Sequence, residues 1–407
     1  MRPMAAPSST YDCDILVVGT GPAGLVAALA MAQAGFTTIA VGPPVDPARD
    51  TRTTALFTGS VALLRNLGLG ARFASAMVPM TGLRLIDDTG GIWRAPETLF
   101  RAEELGLDQF GINIDNAALN AVLLAAAREQ KGLQLIEDTV TSDFQSDVQG
   151  IAVKLGDGST ISARLIVAAD GRGSLCRREA GIAIETSPYP QSAIATRFQH
   201  TRAHGGISSE FHRPSGPLTT VPLAGAQSSL VWVETPEEAQ RLTSLDDAAF
   251  IATLEDRLQG LLGTVTSVGP RASFPLVRMS AKRLGARRIA LIGEAAHVIP
   301  PIGAQGLNLG LRDIATLVEL VTRARRLGAD IGGDTVLHDY DSERRSDIAV
   351  RSAMVDTLNR SLISDFLPFH LVRGAGLHAL NTLPWLRRLV MREGLHPSGR
   401  VPELMRS

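Results

Sequence analysis

The chain has 407 residues, 45% of them hydrophobic and 20% charged, and its 40 basic and 41 acidic side chains leave a formal net charge of −1. That composition excludes a disordered or collagen-like chain, and the charge balance gives no reason to expect a nucleic-acid partner. Length predicts two or three domains. Cys13 and Cys176 form neither a disulfide framework nor a metal signature, so the expected compartment is reducing and no metal site is expected. Residues 1–14 (MRPMAAPSSTYDCD) read as a loose leader, and 25–34 (LVAALAMAQA) is too short to span a bilayer. Three lysines (Lys131, Lys154, Lys282) accompany 37 arginines, most of which read as surface cations.

In chain order, 14–19 (DILVVG) reads as a buried parallel strand, Pro22 to Ala34 as a helix closed by Gly35, and 37–41 (TTIAV) as a second strand. This is the opening of a dinucleotide-binding fold. Residues 83–95 (LRLIDDTGGIWRA) predict a hairpin turning at the glycine pair. A helix is predicted over 116–130, capped by Asp115 or Asn116, then strands at 133–137, 150–155 and 161–169. Between about 186 and 275, strand signals such as SSLVWVE among prolines and glycines, interrupted by one helix near 246–260, predict an antiparallel-sheet domain that the hairpin joins. From 287 the parallel pattern resumes (RRIALIG), and a long helix is predicted from about 305 to 325. The expected class is therefore α/β. A discontinuous Rossmann-like nucleotide-binding domain (1–78, 100–185, 276–360) is interrupted by a sheet domain (79–99, 186–275), with a C-terminal helical segment over 361–407.

Three motifs carry chemistry. In Gly19-Thr20-Gly21-Pro22-Ala23-Gly24, Gly19 permits the tight turn, Gly21 lets backbone approach a pyrophosphate, and Gly24 lets helix and strand pack closely. The acid expected at the end of the second strand to hold a ribose hydroxyl is missing. Gly42-Pro43-Pro44 stands there, which leaves Asp46, Asp50 or backbone alone for that task. The second motif, Leu165 to Ser174 followed by Arg177, delivers Asp170 into a glycine-loosened turn. There it either positions an arginine or caps the next helix, and the segment alone favours the cap. In the third, a strand ends in Gly293-Glu294, Pro300-Pro301 make a turn, and Ala304-Gln305-Gly306-Leu307-Asn308 start a helix. The acid suits a polyol, and the helix N-terminus suits negative charge on a ring lying over it. His297 reads as structural.

These motifs, in this order, resemble those of the class A flavin monooxygenases with the para-hydroxybenzoate hydroxylase fold. The run AAHVIPPIGAQGLNLGLRD, the segment SLVWVETPEEAQRL (229–242) and Arg52-Thr53-Thr54-Ala55-Leu56 more narrowly resemble the ubiquinone-biosynthesis hydroxylases. The resemblance implies an FAD-binding domain and a substrate sheet domain. It places Gly19, Gly21, Ala23 and Gly24 at the FAD pyrophosphate, with Arg52, Asn116, Val140 and Asp170 as further cofactor contacts. Gly293 and Glu294 would stand at the ribityl chain, where the family has an aspartate, and Ala304, Gln305, Gly306, Leu307 and Asn308 at the isoalloxazine. Ala304 replaces a family glycine. FAD, reduced by transiently bound NAD(P)H, would form a flavin hydroperoxide with molecular oxygen and hydroxylate the ring of a polyprenyl phenol. No catalytic side chain is implied.

Two other readings stay open: a flavin hydroxylase or dehydrogenase acting on a soluble phenol, and a non-catalytic nucleotide-fold scaffold or lipid carrier. Segment 361–392 mixes apolar stretches with Arg373, Arg387, Arg388 and Arg392. It reads as helices packed on the FAD domain or as a surface resting on anionic lipid. The expected location is cytoplasmic, with peripheral contact at the inner membrane surface or with proteins of ubiquinone biosynthesis.

Overall fold

The computed structural model describes residues 11–44, 52–90, 96–363, 382–395 and 400–406. Strand Cys13–Val18 lies between Thr38–Gly42 and Thr160–Ala168, parallel to both, with Val17 opposite Ala40 and Val167. Ile289–Leu291 extends the parallel array on one side and Leu133–Glu137 on the other, giving the doubly wound order of a nucleotide-binding sheet. Helix Pro22–Gln33 is buried continuously from Gly24 to Ala32, which explains its small residues: it packs beneath the sheet and touches helices Asn116–Glu129 and Gln305–Arg326.

A nine-stranded sheet forms the second layer. Its longest strand, Ile184–His200, pairs with Ala272–Ala281 and Gln227–Glu234. The pairing slips between Pro188 and Ser192, where Pro188 and Pro190 cannot donate to a ladder. Two helices cover one face of this sheet, Asp247–Leu258 and Pro236–Ser244. The second was not anticipated, although Thr235 caps it through the Glu238 N–H and Pro236 opens it. The expected hairpin is wider than read: Gly82–Asp87 pairs with Thr98–Arg101, and residues 91–95 lie outside the described residues.

A three-stranded sheet (Thr53–Phe57, Gly111–Asp115, Val78–Met80) and a 30-residue helix, Asp334–Ile363, were likewise unanticipated. Among the described residues no helix is long and apolar enough to cross a membrane.

Candidate functional site

Three turns distant in sequence meet at the C-terminal ends of three neighbouring parallel strands, where open α/β sheets place their ligands. Gly19 has φ +111°, and a Cβ there would lie 2.3 Å from the Ala169 carbonyl oxygen. A Cβ on Gly24 would lie 1.8 Å from the Gly19 oxygen. Both glycines are required by packing. Gly21 differs: a Cβ there meets nothing within 4 Å, and as N-cap of helix Pro22–Gln33 it supplies no side chain to the first-turn N–H groups. An open cradle at an uncapped helix start fits a pyrophosphate. Gly21→Ala is therefore expected to fold with wild-type thermal stability but to bind FAD at least about tenfold more weakly, whereas Gly24→Ala unfolds at markedly lower temperature. Calorimetric titration with FAD beside thermal melts separates the two.

The missing ribose acid has a structural reason. A Cβ on Gly42 would lie 2.3 Å from Thr20 Oγ1, whose hydroxyl donates to the Pro43 carbonyl at 3.1 Å. The strand end is closed against the glycine-rich turn. Asp46 and Asp50 lie outside the described residues.

Asp170 is engaged locally. It accepts from the Ser174 hydroxyl at 2.6 Å and the Cys176 N–H at 3.0 Å, while Ser174 caps helix Leu175–Glu179. The partner arginine goes elsewhere: Arg177 is buried and donates to the carbonyls of Ala295 (2.8 Å) and Arg172 (2.9 Å), bolting the second turn to the third. Burial pushes the Cys13 thiol up to about 12 and raises Cys176 well above its ordinary value, so neither supplies a thiolate.

In the third turn, Gly293 (φ +55°) sits 3.5 Å from Ala23 by its would-be Cβ and donates its N–H to Asp313 at 3.0 Å. Glu294 is exposed beside it and meets no partner among the described residues. Asp313, 0% exposed, also receives His297 at 2.7 Å and Arg344 at 2.8 Å. Arg344 continues to Asp347, which Arg312 and Arg351 also contact, and Arg351 donates to the Gln305 side-chain Oε1. Asp313, Arg312, Arg344, Asp347 and Arg351 had no assigned role in the sequence. The only signal for the last three was their spacing along one helix, at i, i+3 and i+7.

At the start of helix Gln305–Arg326, two predicted contacts turn out to be struts. The Gln305 amide is spent on Arg351 and on the Gly303 carbonyl (3.0 Å). Asn308 accepts from the Phe57 N–H (2.9 Å) and Ser60 hydroxyl (2.7 Å) and donates to the carbonyls of Ala55 (2.8 Å) and Ala304 (2.7 Å). What remains open is backbone: the helix has no side-chain cap, and Gly306 is exposed with free space around it. Leu307 packs half-buried on the core. Ala304 is left-handed (φ +52°), a conformation that disfavours a Cβ by about 1–2 kcal/mol, so Ala304→Gly is expected to raise stability by about 1 kcal/mol in thermal unfolding.

Arg52 is exposed at the head of Thr53–Phe57, and its carbonyl accepts from the Asn116 N–H at 3.0 Å. The Asn116 carboxamide oxygen accepts from Thr54, and Asp115 precedes the helix as N-cap without a side-chain capping bond, its carboxylate pairing with Arg197 instead. Val140 begins strand Val140–Ser146 on the antiparallel extension of the sheet and packs on the core.

A parallel nucleotide-binding sheet with an open cradle at the ends of its strands, beside a separate antiparallel sheet, is a build that suits a bound dinucleotide. The family described as FAD binding domain matches residues 12–356. Ubiquinone hydroxylase UbiL of Rhodospirillum rubrum is 35% identical, covering 97% of this chain and 92% of that protein. The 3-demethoxyubiquinol 3-hydroxylase of Escherichia coli is 30% identical, covering 94% and 98%. The chain belongs to the ubiquinone-biosynthesis hydroxylase family of class A flavin monooxygenases. Among solved structures, p-nitrophenol 4-monooxygenase PnpA of Pseudomonas putida shares the fold, with TM-score 0.78 at 19% identity over 95% of this chain and 98% of that one.

Proposed function

We propose that this chain is an FAD-dependent monooxygenase that hydroxylates the aromatic ring of a polyprenyl phenol in ubiquinone biosynthesis, with NAD(P)H as transient reductant and molecular oxygen as co-substrate. The observation that carries this reading is the open Gly21 cradle at the meeting point of all three motifs, in a chain that matches two ubiquinone hydroxylases nearly end to end. Residues 1–78, 100–185 and 276–360 make the FAD-binding domain in this reading, and 79–99 with 186–275 the domain that receives the ring.

Bound FAD supplies the reducing equivalents and the activation of oxygen. The chain's own part is to hold and shield it. Gly19, Gly21, Ala23 and Gly24 bring backbone N–H groups and a helix dipole to the pyrophosphate. Arg52 adds a cation, Glu294 offers a carboxylate to the ribityl hydroxyls, and Asn116, Val140, Asp170 and Gly293 shape the walls. The backbone of residues 304–308 would hold the isoalloxazine, and the uncapped helix N-terminus there would favour negative charge on the reduced ring.

The exposed Trp385, Leu389 and Val390 of helix Pro384–Leu395, next to Arg388 and Arg392, support peripheral contact with an anionic membrane or with proteins of the pathway. Arg373 lies outside the described residues. The test is complementation: expressed in strains blocked at single ring-hydroxylation steps, the chain restores ubiquinone in at least one. Failure in every such strain contradicts the reading.

A further inference from the structure

The face of the nine-stranded sheet that looks toward strand Thr53–Phe57 carries one acid–histidine pair that the preceding account leaves unused. Register sets Glu210 in a row with Thr219, Val231 and Ala195, and His212, two residues on, points to the same face. That face meets the FAD-binding side: Ser229 accepts from the Thr53 hydroxyl at 2.9 Å, and Arg197, its row partner, pairs with Asp115 at 2.8 Å. The opposite face, with Phe211, Leu218, Trp232 and Ile194, lies under the two covering helices.

Glu210 is 6% exposed and His212 3%. His212 Nε2 lies 2.8 Å from Glu210 Oε1, and Thr219 donates to the other carboxylate oxygen at 3.4 Å. A carboxylate only accepts, so Nε2 carries the hydrogen, and in the neutral ring Nδ1 presents a lone pair. Nδ1 is buried and has no partner among the described residues. A buried acceptor left open is costly and calls for a donor. Apart from Asp87, the buried register neighbour of His212, the flanks are apolar, with Leu83, Leu85 and Phe100 on one side and Val231, Val233 and Ala193 on the other. A ring carrying a single hydroxyl suits such a place.

Resting on the function proposed above, we infer that His212 Nδ1 receives the hydroxyl of the substrate ring, making His212 a catalytic base held in its tautomer by Glu210. The ring O–H donates to Nδ1. As the ring turns electron-rich toward the incoming oxygen, the proton passes to Nδ1 and the bonding pair stays on the ring oxygen. The imidazolium rests against the Glu210 carboxylate; the attacked carbon then gives up its hydrogen as a proton, which leaves with the second oxygen atom as water, and the proton held on Nδ1 returns to the ring oxygen. Of the charged groups around the pair, Asp87 is the register partner of His212 on the parallel neighbouring strand, Arg197 with Asp115 lies further along the face, and Arg213, Glu234 and Asp88 pair on the other face.

The test uses FAD-loaded protein and 2-prenylphenol as probe, with the phenolate absorbance of the bound probe followed anaerobically against pH. Wild type is expected to ionise the bound probe at least about one pH unit below free probe, and His212→Gln and His212→Phe to lose that shift. In turnover, both variants are expected to lower kcat about 100-fold near neutral pH with KM changed less than about threefold, and to recover at pH values where the free phenol ionises. Glu210→Gln is expected to fall between. Unchanged FAD affinity in the variants shows that they are folded. Ionisation at the same pH in wild type and both variants, or kcat unaffected by either, overturns the role of His212 and leaves the hydroxylase reading intact. Flavin-loaded wild type that forms no hydroxylated product from the probe overturns both.

Discussion

Asp313→Ala is expected to destabilise the protein by about 3–5 kcal/mol, the cost of removing one partner from a buried ion pair and leaving the other charge uncompensated. The carboxylate is wholly buried and takes hydrogen bonds from His297, Arg344 and the Gly293 N–H, so its loss leaves three buried arginines (Arg312, Arg344, Arg351) sharing Asp347 alone and frees the third turn of the site together. That is a large share of a domain's usual ~5–15 kcal/mol. Urea unfolding of the flavin-free protein measures it, and a loss below about 1 kcal/mol would mean that the network relaxes without Asp313.

The same cluster sets an acid limit. Burial alone pushes Asp313 up, but His297 and Arg344 outweigh it and hold the carboxyl below its ordinary range; Asp347 is held low in the same way by Arg344, Arg312 and Arg351. A folded value below the unfolded one contributes stability that is fully present above about pH 4 and is lost as pH falls through the folded value. Thermal midpoints should therefore hold down to about pH 4 and drop below it, less steeply in Asp313→Asn.

Asn308→Ala is expected to cost about 3 kcal/mol, because buried donors and acceptors left open cost about 1–3 kcal/mol each and four groups lose their partner at once. The carboxamide clamps strand Thr53–Phe57 to the start of helix Gln305–Arg326. FAD affinity should fall with it, since both the Arg52 strand and the 304–308 backbone shift. Asn308→Asp keeps the two accepted bonds but cannot donate to Ala55 and Ala304, so it should fail almost as badly. Melting temperature and FAD affinity are expected to fall in parallel. Lost FAD at an unchanged melting temperature would make Asn308 a direct ligand instead of a clamp.

The parts of the fold legible from the sequence are those whose local chemistry admits one structure. Pro22 at the helix start and Gly35 past its end bracket a strand–helix–strand unit that differs from expectation by one residue at most boundaries. The three-stranded sheet escaped notice because Thr53–Phe57 runs directly into helix Thr58–Asn66 with no separating turn, and Val78–Met80 is three residues long around a proline. Helix Asp334–Ile363 escaped because charged residues interrupt its inward face between Leu337, Tyr340, Ile348 and Val355. Arg344, Asp347 and Arg351 point into the core and pair there, so the sequence carries no clear apolar period.

The candidate site divides along the same line. Glycines are legible because backbone geometry dictates them, whereas the partners of a carboxamide are not. Gln305 and Asn308 are found at the expected place but with their side chains turned inward. The arginine excess is partly explained as well. Arg177, Arg213, Arg288, Arg312, Arg344 and Arg351 are buried struts, each tying carbonyls or carboxylates together with a planar donor fork, a task that lysine does not perform.

The most direct measurement of the central claim is isotopic. Purified protein loaded with FAD is supplied with NAD(P)H, a short-tailed polyprenyl phenol and 18O-labelled molecular oxygen, and the product is analysed by mass spectrometry. The account predicts a ring-hydroxylated product carrying one labelled oxygen atom, with NAD(P)H consumed in step. Hydrogen peroxide as the sole product, or a hydroxyl group whose oxygen comes from water, would contradict it.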